Sequence, residues 1–333
     1  MSDSKANECD PDSTKFIKQR ILMRMTAASN SELQNILQKL DNSYLLAGKS
    51  VMRQRICDIC ATDSSAAEYV LKRHMETRCS YNYICVIDFE ATCINCSSKT
   101  FYPHEIIEFP AAIIDIEKLE IVDFFHSFVR PVLNPKLSDF CKDLTGISQE
   151  EVDSAESFTS VLISFSNWIK NYTVRGKTVI LTDGTCDIGK FLVLQCLISQ
   201  IDFPSWAVHH IDVKDIYRKA YKLEKSKLTD MLLSCGMDFE GRLHSGKDDT
   251  KNIARLAIAM LKDGAKFPAK VFSPGAQMKL FRNKVNAYKR TRAESSKTSK
   301  KSDKRKSASQ AKASQVESCN SASMDIDPDL KET

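Results

Sequence analysis

A chain of 333 residues with 42% hydrophobic content can bury one sizeable core and a small accessory module. No apolar run reaches the roughly 18 residues of a membrane span, and the polar, acidic start Met1–Asp12 lacks a secretory pattern, so a soluble intracellular protein is expected. The formal net charge of +5 is unevenly spread, because fifteen Lys or Arg stand against Glu294 and Asp303 between Lys266 and Gln315, which leaves the rest of the chain net acidic. Twelve cysteines, scattered through predicted strands and helices without a signal peptide, are expected to stay reduced.

Residues 1–25 read as unstructured. Ser31 is a candidate N-cap for a helix carrying Leu33, Ile36, Leu37 and Leu40 on one face, and Val51, Met52, Ile56 and Ile59 suggest a second helix after Gly48. Beyond Cys79 the pattern changes to strands over Tyr83–Glu90, Glu105–Ile116 and Ile121–Val129, with Pro103, Pro131 and Pro135 at turns. A helical stretch over Phe158–Trp168 leads to a strand, Val179–Leu181, and an amphipathic helix, Ile188–Ile201. Further helices are expected at Leu228–Cys235 and Asn252–Leu261. Three strands followed by alternating helix and strand predict an α/β fold, a mixed sheet flanked by helices. The Ser/Lys-rich tail, residues 271–333, has too few large apolar residues to order itself and is expected to be largely disordered. Its clusters Lys289-Arg290 and Lys304-Arg305-Lys306 fit a nuclear address, a nonspecific phosphate-binding arm or a solubilising tail equally.

"VIDFEAT" places Asp88 and Glu90 two residues apart on one face of the first strand. An ordinary strand with one wet face explains a lone Asp-x-Glu, whereas a pair of Mg²⁺ ions would hold two neighbouring carboxylates ionised. Asp187 follows the short strand at the first turn of a helix, where the helix dipole alone favours an acid and where the position also aims at the crevice beyond the strand. His244 and Asp249 flank a loop-to-helix junction. Singly, they read as a surface histidine and, with Asp248, as helix caps.

In order, "YICVIDFEATC", "HEIIEFPAAIID", "LSDFCKDLTGIS", "LTDGTCDIGKFL" and "GMDFEGRLHSGKDDTKNIARLAIAML" resemble the DEDDh 3′→5′ exonucleases, and within them the histone-mRNA 3′ exonuclease and enhanced-RNAi exoribonuclease group. The resemblance, from about Tyr81 to Lys262, implies a ribonuclease H-like fold with metal-holding, catalytic acids at Asp88, Glu90, Asp187 and Asp249 and a general base at His244. It implies two Mg²⁺, for which Mn²⁺ may substitute. Asp88 would bridge both ions, Glu90 and Asp249 would hold the nucleophile-side ion, and Asp187 would anchor the second. An imidazole is the side chain suited to take up a proton near neutral pH, which fits His244 for that role. By the same resemblance Phe89, Ala91, Thr92, Cys186, Ile188 and His244 would contact the terminal nucleotide. Cys186 stands where relatives usually have Trp, which weakens base stacking there.

The domain reading is 1–25 disordered, 26–62 a SAP-like module, 63–80 a linker, 81–270 the exonuclease and 271–333 the tail. "SELQNILQKLDNSYLLAGKSVMRQRI" resembles a SAP domain, with Lys39, Lys49, Arg53 and Arg55 as its RNA-binding cations, while a plain helical hairpin packed on the nuclease stays open. Cys57, Cys60, His74 and Cys79 match a small zinc finger in spacing, but the aromatic residues that usually accompany those ligands are missing, and thiols on a helix plus a linker are preferred. Cys93-x-x-Cys96 has no matching second pair nearby. The expected function is trimming of free 3′ ends of short structured or double-stranded RNAs, such as small interfering RNA, ribosomal RNA or histone mRNA ends, with a role against RNA interference. A 3′→5′ DNA exonuclease and a non-catalytic RNA-binding protein are the alternatives. RNA, RNA-silencing or ribosomal proteins are the expected partners of a monomer in the cytoplasm, nucleus or nucleolus.

Overall fold

Strand β1 (Tyr83–Ile87) buries Ile84, Cys85, Val86 and Ile87 without alternation, the pattern of a strand covered on both faces. It belongs to a sheet with β2 (Glu90–Ala91), β3 (Ile106–Asp115), β4 (Glu120–Phe128), β5 (Thr178–Thr182), β6 (His209–Asp212) and β7 (Lys270–Val271). β3 runs antiparallel to β1, β2 and β4, while β1, β5 and β6 are mutually parallel and β7 closes antiparallel on β6. The computed structural model describes residues 11–42, 47–73, 79–95, 101–221 and 227–294. Among them no helix is long and apolar enough to cross a membrane.

Among the described residues, four helices precede the sheet: α1 (Pro11–Ala27), α2 (Asn30–Asp41), α3 (Lys49–Thr62) and α4 (Ser64–Lys72). Leu33, Ile36 and Leu37 of α2 pack with Met52 and Ile56 of α3 and Val70 of α4. Ser29, not Ser31, caps α2: it accepts from the Glu32 amide, while the Glu32 carboxylate accepts from the Ser29 amide. α1 replaces most of the unstructured start expected from sequence, and α4 occupies much of the expected linker. The periodicity of α1 is weak because the helix faces two partners at once. Ile21 and Met25 enter the N-terminal cluster, whereas Phe16 packs on Tyr217 and Tyr221 in the sheet's core. An isolated helix of this length is marginal, so these tertiary contacts are what order it.

After the sheet's first four strands come α5 (Asp139–Thr145), α6 (Gln149–Ser154) and α7 (Phe158–Thr173). A π-helical stretch, Asp187–Leu192, runs into α8 (Val193–Ser199), followed by α9 (Val213–Tyr221), α10 (Leu228–Ser234) and α11 (Gly246–Lys262). Odd-numbered β3 residues Phe109, Ala111 and Ile113 pack with α7, the π-helical stretch and α8, while Ala112 and Ile114 pack with α9, α10 and α11. The Phe109 ring lies 4.7 Å from Phe89 and 4.6 Å from Phe165, so losing it would cost roughly 3–5 kcal/mol. Strand β6 is absent from the sequence reading because "HHID" is short and half polar, and α9, though Val213, Ile216, Tyr217 and Tyr221 share a helical face, is absent too.

The chain divides into two compact units, Met1–Phe281 and Arg282–Thr333. Residues 274–294 are helical, so the expected disorder of the tail does not extend to its beginning. A helix here can form because the charges are spaced by Leu280, Phe281, Val285 and Tyr288. The Lys304-Arg305-Lys306 cluster lies outside the described residues, as do His74 and Cys96.

Candidate active site

β1 and β5 are parallel neighbours, so their C-terminal ends open on one side of the sheet, where loops rather than ladder bonds fill the space. Strand pairing stops after Ile87 and resumes at Glu90 with a register shift. Asp88 and Glu90 are therefore half-buried on either side of Phe89, whose ring is in the core. The Phe89 amide, freed from the ladder, donates to Asp187 Oδ1 at 2.9 Å. That bond ties the end of β1 to the π-helical stretch, a local widening often found at functional sites.

The remaining groups come from the segment entering α11. His244 holds a left-handed backbone (φ 61°) and is exposed. Gly246 opens the helix where a Cβ would meet Glu108 Oε2 at 2.9 Å and the Asp88 carbonyl at 3.0 Å, so only glycine lets the helix start this close to β1. Glu90, His244 and Asp249 each present a ligand atom, and these atoms lie within 4.8 Å of one another. Asp248 turns elsewhere, since its carboxylate accepts from the Arg242 amide at 2.9 Å and shapes the preceding loop.

Burial raises every acid of this cluster, and neighbouring carboxylates add to it. Asp88 lies well above the usual carboxylate range, first through burial and then through Asp187, Glu90 and Asp249. Burial and then Glu108 push Glu90 up to about 9. Asp187 is raised to about 7 by burial, against the pull of the Phe89 amide. Asp249 is raised to about 7, again mainly by burial, which outweighs its bond from the His244 backbone. Four hard carboxylates held together against their own repulsion, with an imidazole beside them, are a donor set suited to divalent cations, and the residues fit such ions.

All five residues expected to carry the chemistry thus meet at one end of the sheet. The expected nucleotide contacts divide. Cys186 is exposed, while Ala91 and Thr92 are buried and Ile188, like the Phe89 ring, is packed in the core. Among the expected RNA-binding cations, Lys39 and Lys49 are exposed. Arg53 donates to the Met25 and Thr26 carbonyls at 2.7 and 3.0 Å, closing the end of α1, and Arg55 pairs with Asp41 at 3.2 Å. Cys57 and Cys60 lie on α3, with Cys60 in the N-terminal core.

Three charged residues, Asp183, Lys214 and Glu108, escaped the sequence reading. Asp183, just past β5, has one oxygen 2.8 Å from Lys214 Nζ and a second that is buried with no hydrogen-bond partner among the described residues. Glu108 is almost fully buried in β3. A carboxylate inside an otherwise apolar strand was the signal available for it.

The family model described as Exonuclease (RNase_T) matches residues 85–257, just over half the chain. The 3′-5′ exoribonuclease 1 of Rattus norvegicus is 48% identical over 188 residues, covering 55% of this chain and 54% of the relative. The chain thus spans about half the length of this relative. Among solved structures, the nuclease domain of 3′hExo, a DEDDh family member bound to rAMP, is 44% identical, with a TM-score of 0.56 over 58% of this chain and 98% of that one. A 3′-exonuclease solved in 3′-end specific recognition of a histone mRNA stem-loop is 42% identical, with a TM-score of 0.55 over 59% of this chain and 92% of that one. With four acids and a histidine meeting at one end of the sheet, the chain belongs to the exonuclease family, in its DEDDh group.

Proposed function

We propose that this chain is a 3′→5′ exoribonuclease, hydrolysing the last phosphodiester of an RNA with a free 3′-OH and releasing nucleoside 5′-monophosphates. The observation that carries the reading is the convergence of Asp88, Glu90, Asp187 and Asp249 with His244 at the open end of β1 and β5. Two Mg²⁺, or Mn²⁺ in their place, held by those four acids would supply charge stabilisation of the phosphate and the leaving 3′ oxygen and make water more acidic. The Phe89 amide fixes Asp187, and the first turn of α11 fixes Asp249. The His244 ring, exposed beside Glu90 and Asp249, can take the proton of an attacking water and pass it to solvent.

Short structured or double-stranded RNAs are the proposed substrates, including histone mRNA stem-loops, the ligand of the solved 3′-exonuclease. The exposed Lys39 and Lys49 would touch their phosphates. RNA-silencing or ribosomal proteins are proposed partners, in the cytoplasm and the nucleus. The test is a 5′-labelled RNA incubated with Mg²⁺, beside a matched DNA and an RNA ending in a 3′-phosphate. Stepwise shortening of the 3′-OH RNA, with mononucleotide products and a resistant 3′-phosphate, is expected. Internal cuts would refute the exonuclease reading, and faster loss of the DNA would move the substrate to DNA.

A further inference from the structure

Glu108 is a carboxylate in a strand whose neighbours Ile106, Ile107, Phe109 and Ala111 are all buried, and it is itself only 3% exposed. A buried acid needs partners, and this one has three that converge from two elements. Its Oε2 accepts from the Gly246 amide at 3.0 Å and its Oε1 from the Lys247 amide at 3.1 Å. His126 of β4, diagonal to it across the β3–β4 ladder, places Nε2 at 2.7 Å from Oε1. The two amides belong to the first turn of α11, where N–H groups have no partner within the helix. Ser245, the residue in the cap position, offers no side-chain bond to that turn, so Glu108 does the capping from another strand.

The segment held in this way runs from His244 to Asp249. His244 sits two residues before the captured Gly246 amide, and Asp249 two residues after the captured Lys247 amide. On its other side Glu108 faces Glu90 directly in the β2–β3 pairing. Residue 108 is thus paired through its backbone with the strand bearing Glu90, while its carboxylate holds the turn bearing His244 and Asp249. Gly246 leaves no room for the turn to approach differently, since a Cβ there would lie 2.9 Å from Glu108 Oε2.

We propose that Glu108, oriented by His126, is a positioning residue that holds the His244–Asp249 turn in register with Asp88 and Glu90. The proposal rests on the exonuclease reading of the same site, and its tests separate the two. A purely structural acid would stabilise the fold without acting through His244. A positioning acid acts on the rate through that histidine.

The first readout is independent of activity. Hydrogen exchange of full-length wild type and Glu108→Gln, which replaces an acceptor oxygen by an NH₂ facing a donor, should show roughly tenfold faster exchange at residues 246–249 and little change at the end of α11. Unchanged protection of that turn would overturn the proposal, whatever the RNA assay shows. The second readout is kinetic. Glu108→Gln should lower kcat roughly 10- to 100-fold, the usual worth of a group that orients a ligand, with KM within about threefold. In a His244→Ala background the same change should cost less than about threefold, because two groups acting in one chain of effect do not add. Full additivity, or a wild-type kcat, would overturn it. His126 gives a milder series should Glu108→Gln fold poorly: His126→Gln, which keeps an N–H toward Oε1, should lose less rate than His126→Phe, and equal losses would count against the proposal. If wild type itself leaves 3′-OH RNA intact, the exonuclease reading fails while the exchange experiment still reports on the turn.

Discussion

Asp263 is fully buried and the acids around the end of β1 are half-buried or buried, yet their surroundings are opposite. Asp263 accepts from Arg24 at 2.6 Å, Arg20 at 2.7 Å and Tyr221 at 2.8 Å, so two cations and a hydroxyl satisfy one carboxylate. Around Asp88, Glu90, Asp187 and Asp249, burial and neighbouring carboxylates instead raise every acid, and the nearby Lys214 is already paired with Asp183. Charge matched within the protein marks an acid that holds structure together. Charge left unmatched, at the open ends of parallel strands, marks an acid kept for a cation from outside.

Changing one acid in each place should separate rate from stability. Asp88→Asn is expected to cut RNA hydrolysis by more than roughly 10³-fold, since removing even one group that stabilises the transition state costs about 10²–10³. Its melting temperature in EDTA should equal or exceed that of wild type, because a repelling charge is gone. His244→Ala comes next, with an expected loss of roughly 10²–10⁴-fold that partly recovers at high pH, where hydroxide substitutes. A wild-type rate and pH profile would make the histidine structural. At the other place, Asp263→Ala strands the buried Arg24 and the part-buried Arg20 and should destabilise the fold by roughly 3–5 kcal/mol in urea titrations. The surviving folded enzyme should turn over normally.

The same contrast appears in pH dependence. In the folded protein without divalent ions, burial pushes Asp187 and Asp249 up to about 7 and Glu90 up to about 9, from ordinary values of 3.8 and 4.5. Between those values the folded state binds more protons than the unfolded one, so stability falls as pH rises. Urea unfolding in EDTA should therefore show stability present near pH 4 and lost as pH passes 7 and then 9. Saturating Mg²⁺ should shrink that loss, and a flat profile in EDTA would contradict the burial of these acids. The smallest expected effect is at the surface: Lys39→Ala with Lys49→Ala should weaken stem-loop binding a few-fold and lower the salt slope by about one for each phosphate no longer neutralised.

Residues were legible where local pattern and fold agree. Asp88 and Glu90 stand out against an apolar strand, and Asp187 and Asp249 sit where helices begin, but singly each also reads as an ordinary surface or capping acid, and only their ordered set, by its resemblance to the DEDDh exonucleases, pointed to metal chemistry. α1 was hidden because Phe16 and Met25 serve different cores and Arg24 looks like a surface charge until Asp263, 239 residues away, is placed beside it. Arg53 looked like a phosphate-binding cation, yet it closes the end of α1, a role set by three-dimensional proximity alone. Glu108 lay in view within "HEIIEFP", but nothing local says that its partners are the amides of Gly246 and Lys247.

The most direct test of the unmatched acids is calorimetric titration of the RNA-free protein with Mn²⁺ at neutral pH, in wild type and in Asp88→Asn. Saturable binding in wild type that is lost or greatly weakened in Asp88→Asn, and kept in Asp263→Asn that is still folded, is the expected result. Absence of binding in wild type, or equal binding in wild type and Asp88→Asn, would contradict the assignment of these carboxylates to a cation.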